Sequence, residues 1–443
     1  MYENKMGTMP VNKLLISIAL PIVISMLIQA LYNIVDSIFV AKISEDALTA
    51  LSLAFPMQNL IIAAATGIGV GMNALLSKKL GEKDFSYANN VACNGIILLL
   101  FAFFVFLIIG IFLIPAFINS QTNIDSIASY AIDYLRICCI FSFGVFLQIG
   151  FERLLQATGQ TVLSMITQIS GAVTNIILDP IFIFGLKMGV EGAAIATILG
   201  QVVSAITGLL LNHYKNKEID LKLVNFKPIG TIINRILIVA IPSIIMASIG
   251  SVMTFCMNKI LMALTSTAVA VFGIYFKLQS FIFMPIFGLN NGMVPIIAYN
   301  YGAKKKERII KTIKLSMLYA VVIMLFGFLA MQIVPKQLLL MFDASNNMIS
   351  IGVVALRTIS ISFIFAGFCI VASSVYQAFG NGLYSMFVSI ARQLIVLIPV
   401  AYVLSLTKNV NIVWLSFPIA ELVSVVLCSI YLRKIYNKHI DTL

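Results

Sequence analysis

Twelve stretches of mostly apolar residues alternate with short polar segments along the chain, near 14–40, 48–77, 91–114, 128–151, 161–186, 190–212, 234–258, 267–299, 312–334, 348–373, 383–406 and 411–432. The polar breaks are distinct: KKLGEKDFS, HYKNKEIDLKLVNFKP and YGAKKKERIIK. An apolar run of about 20 residues closes its own backbone hydrogen bonds as a helix and covers the hydrocarbon core of a bilayer. The weak ten-residue alternation of an outer-membrane barrel is not the pattern here. The pattern therefore predicts an all-α integral membrane protein with twelve transmembrane helices. The opening MYENKMGTMPVNK is polar, and the run after it is too long for the apolar centre of a signal peptide, so that run is expected to remain as the first span.

The chain also repeats itself. PMQNLIIAAATGIGVGMNALLSKKLGEK (56–83) lies over KLQSFIFMPIFGLNNGMVPIIAYNYGAK (277–304) at a shift of 221 residues, pairing Gln58 with Gln279, Gly67 with Gly288 and Gly81 with Gly302. The same shift pairs Pro21 with Pro242, Arg136 with Arg357 and Gln156 with Gln377. One offset along nearly the whole chain means two homologous halves. The expected division is a six-helix lobe over 1–212, a linker over 213–233 and a second lobe over 234–443, about a central site. Six spans per half, an even number, give both halves the same orientation, related by a pseudo-twofold along the membrane normal.

Composition agrees. Of 443 residues, 60% are apolar and 10% charged, with a mean hydropathy of +1.04. So few charges cannot cover a soluble protein of this size. Of the 29 Lys and Arg, four fall within spans (Arg136, Lys277, Arg357, Arg392) and five on one side (Lys42, Lys187, Lys259, Lys336, Lys408); the other 20, Lys222 among them, share the side of the N-terminus. The positive-inside rule then places both termini in the cytoplasm. The net charge of +12 is met by anionic lipid at those loops rather than by nucleic acid. The six cysteines lie in apolar runs without metal-ligand spacing, and His213 and His439 lie in polar segments far from any intramembrane acid.

Chemistry concentrates in two acids. Asp36 and Asp179 are nearest to mid-span, and their partners under the shift are Met257 and Val400, so the acids belong to one half alone. A carboxylate there is unfavourable by roughly 2.5–3.5 kcal/mol on insertion scales, which makes function the default reading. Tyr32 precedes Asp36 by four residues and Asn175 precedes Asp179 by four, so each acid shares a helix face with a polar neighbour. Pro180 removes one helical bond and frees the carbonyl of Ile176. Two carboxylates, an amide oxygen and a free carbonyl make an oxygen cage for Na⁺, or the acids hold a proton between them. The structural alternative is acids neutralised by Arg136, Lys277 or another base. Arg136 and Arg357 are expected to brace the two halves, and Glu152 and Arg153 to form a local ion pair. Met57, Met253, Met257 and Met284, with Gln58 and Gln279, are candidates to line a substrate cleft, since flexible thioethers adapt to many ligand shapes. No P-loop, GxSxG or HExxH pattern is present, so neither ATP use nor an enzyme site is indicated.

With P-x14-D in the first span, RLLQATGQ after the fourth, NIILDP in the fifth and GVEGAAIAT at the sixth, the chain resembles the MATE family, the multidrug and toxic compound extrusion transporters, in its MepA-like bacterial branch. The resemblance implies two lobes in a V and export of cationic, amphipathic drugs or dyes against inward Na⁺ or H⁺, with no other cofactor and a monomeric transporter. It implies a cation site at Asp36, Asn175, Asp179 and Thr197, with Tyr32 and Tyr134 beside it, and a first helix that bends at Pro21. A flippase for a lipid-linked saccharide or other anionic cargo is the alternative, and would need a cleft lined by Arg and Lys.

Overall fold

The computed structural model describes residues 4–221, 226–342 and 344–443; Lys222 of the inter-half segment lies outside them. A short α1 (Lys5–Thr8) leads into α2 (Val11–Ala41), α3 (Glu45–Gly81) and α4 (Phe85–Phe112), then short α5 (Ile114–Asn119). α6 (Asp125–Ile140) and α7 (Phe143–Ala157) precede α8 (Thr161–Pro180), which runs into a wider π turn over Ile181–Gly185, and α9 (Gly189–Lys215) closes the first half. The second half repeats the plan with α10 (Gly230–Met262), α11 (Ser266–Gly302), α12 (Lys306–Ile333), short α13 (Pro335–Leu340) and α14 (Asn346–Ala378). α15 (Gly382–Ile390) continues through a π segment (Ala391–Leu397) into α16 (Ile398–Ser405), and α17 (Val410–Val413) and α18 (Ser416–Ile435) end the bundle.

Among the described residues, eleven helices are long and apolar enough to cross a membrane, and α6 with α7, bent by 48°, make a twelfth if they count as one span. That bend corrects the unbroken span expected over 128–151. The chain turns at Phe141–Ser142, where the Ser142 and Gly144 N–H groups reach Cys139 and Phe141 in tighter, three-residue bonds. Its counterpart, α14, is continuous. The long helices outrun their predicted ends because charged residues such as Lys78 and Lys79 extend α3 beyond its apolar stretch while reaching for the interface.

The repeat is written into the backbone. Among the described residues, the four non-glycine residues with positive φ are two shift-related pairs, Lys83 (60°) with Lys304 (55°) and Lys187 (57°) with Lys408 (55°). The two halves also grip each other reciprocally. Gly67 of α3 lies against Ala240 and Ile244 of α10, and its counterpart Gly288 of α11 lies against Val23 of α2, the counterpart of Ile244. Near the N-terminal side, α3 and α11 cross at Gly81 and Gly302. A Cβ on Gly81 would lie 1.9 Å from the Tyr299 carbonyl oxygen, and one on Gly302 2.0 Å from that of Lys78. The N-terminal segment straps this seal. Arg308 donates to the carbonyls of Met6 (2.9 Å) and Met9 (2.8 Å), while the Asn4 amide donates to Thr158 O (3.2 Å) in the first half.

Candidate functional site

α2 runs unbroken through Pro21. A proline there deprives the Ser17 carbonyl of its helical donor. That carbonyl instead accepts from Thr161 Oγ1 at 3.4 Å, so α8 is pinned to α2 where α2 is weakest. Further along, α8 packs on α9 through two glycines: a Cβ on Gly171 would lie 2.7 Å from Gly200 O, and one on Gly200 2.8 Å from Gly171 O. The close approach sets the polar face of α8 directly against that of α9.

The site follows from these contacts. Asn175 Nδ2 donates to Asp179 Oδ1 (3.3 Å) on its own helix and to Thr197 Oγ1 (3.4 Å) across on α9. The side chains of Asp36 and Asp179 are near enough to act on each other. Asp179 is fully buried and Asp36 half-buried. Asp36 Oδ1, Asp179 Oδ2 and Asn175 Oδ1 are buried with no hydrogen-bond partner among the described residues. All three are acceptors, a set that a proton or a hard cation satisfies and an anion does not. Among the described residues neither acid has a basic partner: Arg136 is exposed on α6, and the Lys277 ammonium sits over the Phe342 ring. The described residues hold no cluster of three or more His, Cys, Asp or Glu suited to a transition metal.

A cavity of about 400 Å³ opens beside the acids, lined by Tyr32, Asp36, Phe55, Gln58, Asn59, Tyr134, Thr197 and Gln201 among others. A small pocket of about 30 Å³ adjoins it, sharing Tyr32, Thr197 and Gln201 and reaching Asn175. Gln58 Nε2 donates to the Tyr134 hydroxyl at 2.9 Å, holding the phenol of α6 over the cavity. The cavity is built from the last turns of α2 and the first half of α3, so it lies at the level opposite the Gly81–Gly302 seal. Tyr32, Asp36, Asn175, Asp179, Thr197, Tyr134 and Gln58 are thus brought together.

The methionines and Gln279 are not part of this cluster. Met257 is fully buried and packs in the core, a correction to its place as a cleft candidate; at helical spacing an apolar thioether fills core volume. Met57 is partly buried against the core, and Met284 is half-buried. Met253 and Gln279 line a separate cavity of about 220 Å³ in the second half. There Arg392 pairs with Glu421 at 3.3 Å. These two are the shift partners of Gly171 and Gly200, so one half closes this helix interface with glycines and the other with an ion pair between half-buried Arg392 and buried Glu421. Arg357 exchanges bonds with Gln332, its Nε donating to the Gln332 carbonyl at 3.2 Å, and ties α12 to α14. Glu152 and Arg153 do not pair, contrary to expectation. As neighbours on a helix they point apart, Glu152 accepting from Gln148 (3.1 Å) and Arg153 donating to Gln156 and Asn291 (both 3.1 Å).

Sequence reasoning missed Gln29, Gln168 and Gln201. Gln168 Nε2 donates to Gln29 Oε1 at 2.6 Å between α8 and α2, and Gln201 lines both spaces. Their signal is helical register: Gln29 lies seven residues before Asp36, Gln168 seven before Asn175, and Gln201 four after Thr197.

Comparison with known proteins places this geometry. The family model described as MatE matches residues 21–181 and again 242–403, two copies that start 221 residues apart, the chain's own repeat distance. The multidrug export protein MepA of Staphylococcus haemolyticus is 28% identical over 435 residues, covering 96% of this chain and 94% of that protein. The structure of a multidrug resistance MATE transporter of the MOP superfamily in an outward-facing conformation superposes with a TM-score of 0.91 at 26% identity, covering 98% of both chains. A crystal structure of MATE in complex with MaL6 gives the same TM-score, identity and coverage. Matched by the model in both halves and by whole-chain likeness in sequence and fold, this multi-pass membrane protein belongs to the MATE family, whose members are transporters and not enzymes.

Proposed function

We propose that the protein is a secondary antiporter that exports cationic, amphipathic compounds in exchange for Na⁺ or H⁺. The observation that carries this reading is a set of three buried acceptors, Asp36 Oδ1, Asp179 Oδ2 and Asn175 Oδ1, unpartnered among the described residues, of which Asp36 lines the larger cavity and Asn175 the small pocket beside it. Asp36 belongs to both places at once. It lines the cavity, where Tyr32, Phe55 and Tyr134 offer aromatic faces to a cation, and it shares the carboxyl pair with Asp179. A coupling ion at Asp36, Asp179, Asn175 and Thr197 therefore cancels the charge that attracts the drug. Because drug and ion compete for one carboxylate, each lowers the other's affinity, which is the thermodynamic requirement for exchange.

In this reading, residues 1–212 and 234–443 act as two lobes joined by 213–233, with both termini on the cytoplasmic side of a bacterial cytoplasmic membrane. The Gly81–Gly302 seal then closes the cytoplasmic side and the cavity faces outward. Alternating access needs that seal to part while the opposite ends close. The name of the Staphylococcus relatives, multidrug export protein, supports the substrate class. The cavity lining holds an acid and no Lys or Arg, which favours a cationic over an anionic, lipid-linked cargo.

The test is dye efflux from cells carrying Asp36→Asn, with membrane abundance measured alongside. Efflux lost at normal abundance is expected, and efflux equal to wild type would refute the proposal. Turnover of a lipid-linked anionic precursor in place of dye efflux would transfer the function to the flippase reading.

A further inference from the structure

We infer that the pseudo-twofold axis carries a buried site for one small inorganic anion, a halide, bound by Arg153 and the side-chain amides of Asn290 and Asn291. A small space of about 20 Å³ lies where α3 and α7 of the first half meet α11 and α14 of the second. Most of its lining pairs up under the 221-residue shift: Val70 with Asn291, Asn73 with Val294, Arg153 with Ser374. The space therefore sits on the axis between the halves, well away from the acids of the transport site.

Three observations assign an anion to it. Arg153 is 9% exposed, and among the described residues no carboxylate lies within ion-pair distance of its guanidinium. Glu152, next in the chain, acts on it only through space and is itself bonded by Gln148. Next, Asn290 is 5% exposed, and neither its Nδ2 nor its Oδ1 has a partner. Finally, the guanidinium is held in place from two sides, by the Gln156 and Asn291 side-chain oxygens and by Gly69, where a Cβ would come within 2.7 Å of Arg153 Cγ. The shift partner of Gly69 is Asn290 itself, so one half makes room for the cation where the other supplies an amide.

The volume admits one water-sized particle. A water would bond Asn290 but bring no charge to the guanidinium, which Glu152 offsets only through space, and that is the costlier arrangement. A halide supplies that charge and accepts from guanidinium and amide N–H groups together. Because the walls come from both halves, the site exists only while the halves are closed on this side. The ion thereby favours the sealed conformation without touching the drug or the coupling cation. The inference does not rest on the antiport reading; it would stand for any cargo.

The test uses the purified full-length protein in detergent, with thermal unfolding followed in sodium chloride, sodium bromide and sodium gluconate at equal concentration. Both halides are expected to raise Tm saturably over gluconate, by on the order of 3 °C at high excess. Crystals grown in bromide should show an anomalous peak within hydrogen-bonding distance of Arg153. R153Q should abolish the halide response. Should R153Q fail to fold, N290A retains the charge and is expected to weaken the halide midpoint about tenfold. Equal Tm in all three salts with no bromide peak would overturn the site in favour of water, as would a halide response that N290A leaves unchanged.

Discussion

Replacing Gly81 with alanine should unseal the N-terminal side of the transporter. The new Cβ would stand 1.9 Å from the Tyr299 carbonyl oxygen and 2.8 Å from its carbon, where ordinary contact begins at 3.4 Å. α3 and α11 must therefore separate by about 1.5 Å at this level, and the obstacle is backbone, which cannot swing aside as a side chain does. Overpacking of this kind costs about 1–3 kcal/mol. The contact joins the two halves, so the whole cost falls on the sealed state. That is a shift of about 5–150-fold toward a state open on this side. Nitroxide labels at Lys83→Cys and Lys304→Cys, the exposed, shift-related residues flanking the crossing, read the separation directly. The native cysteines interfere little, since Cys256 is half-buried and the other five are buried. Gly81→Ala and Gly302→Ala should each broaden the distance distribution to longer values, and the double variant should broaden it further. A single narrow distance matching wild type, with unchanged thermal stability, would show that this crossing is not what holds the halves together.

Two further substitutions probe the asymmetry between halves. Arg392→Leu leaves Glu421, 5% exposed, without its cation, and should lower stability by about 3–5 kcal/mol; adding Glu421→Leu should recover most of the loss, as measured by denaturation of the single and double variants. Thr161→Val removes the donor to the proline-freed Ser17 carbonyl and should cost about 0.5–1.5 kcal/mol. In a Pro21→Ala background Ser17 regains a helical donor, so the same Thr161→Val change should cost less there, and equal costs in both backgrounds would break the link between the two residues.

Much of this architecture is legible along the chain because membrane helices impose a strong, local pattern. Twelve apolar runs and a constant offset need no knowledge of packing, and the backbone reproduces that offset in paired left-handed lysines. Asp36 and Asp179 stand out because each breaks an apolar run. Gln29, Gln168 and Gln201 did not, since a neutral amide scarcely lowers a hydropathy window although it lies on the same helix face. The break at Phe141–Ser142 is equally hidden, for it interrupts helical bonds without any proline to announce it. Met257 shows the opposite failure: the residue type fits a cleft, and only packing reveals it as core. The pairing of Arg392 with Glu421 joins different spans, and nothing local relates them. Gly81 and Gly302 were visible as a repeated pair, but their task, letting two backbones cross, is a property of the assembled halves.

In the proposed exchange the Asp36–Asp179 pair takes up a cation in one conformation and releases it in the other as cargo moves. Purified protein in proteoliposomes, loaded with a cationic dye and exposed to a sodium gradient or a pH gradient imposed separately, tests it most directly. At least one inwardly directed gradient should accelerate dye transport in the wild type, and neither should do so in Asp36→Asn or Asp179→Asn. Dye flux indifferent to both gradients in the wild type, or gradient-driven flux that survives in both variants, would contradict the account.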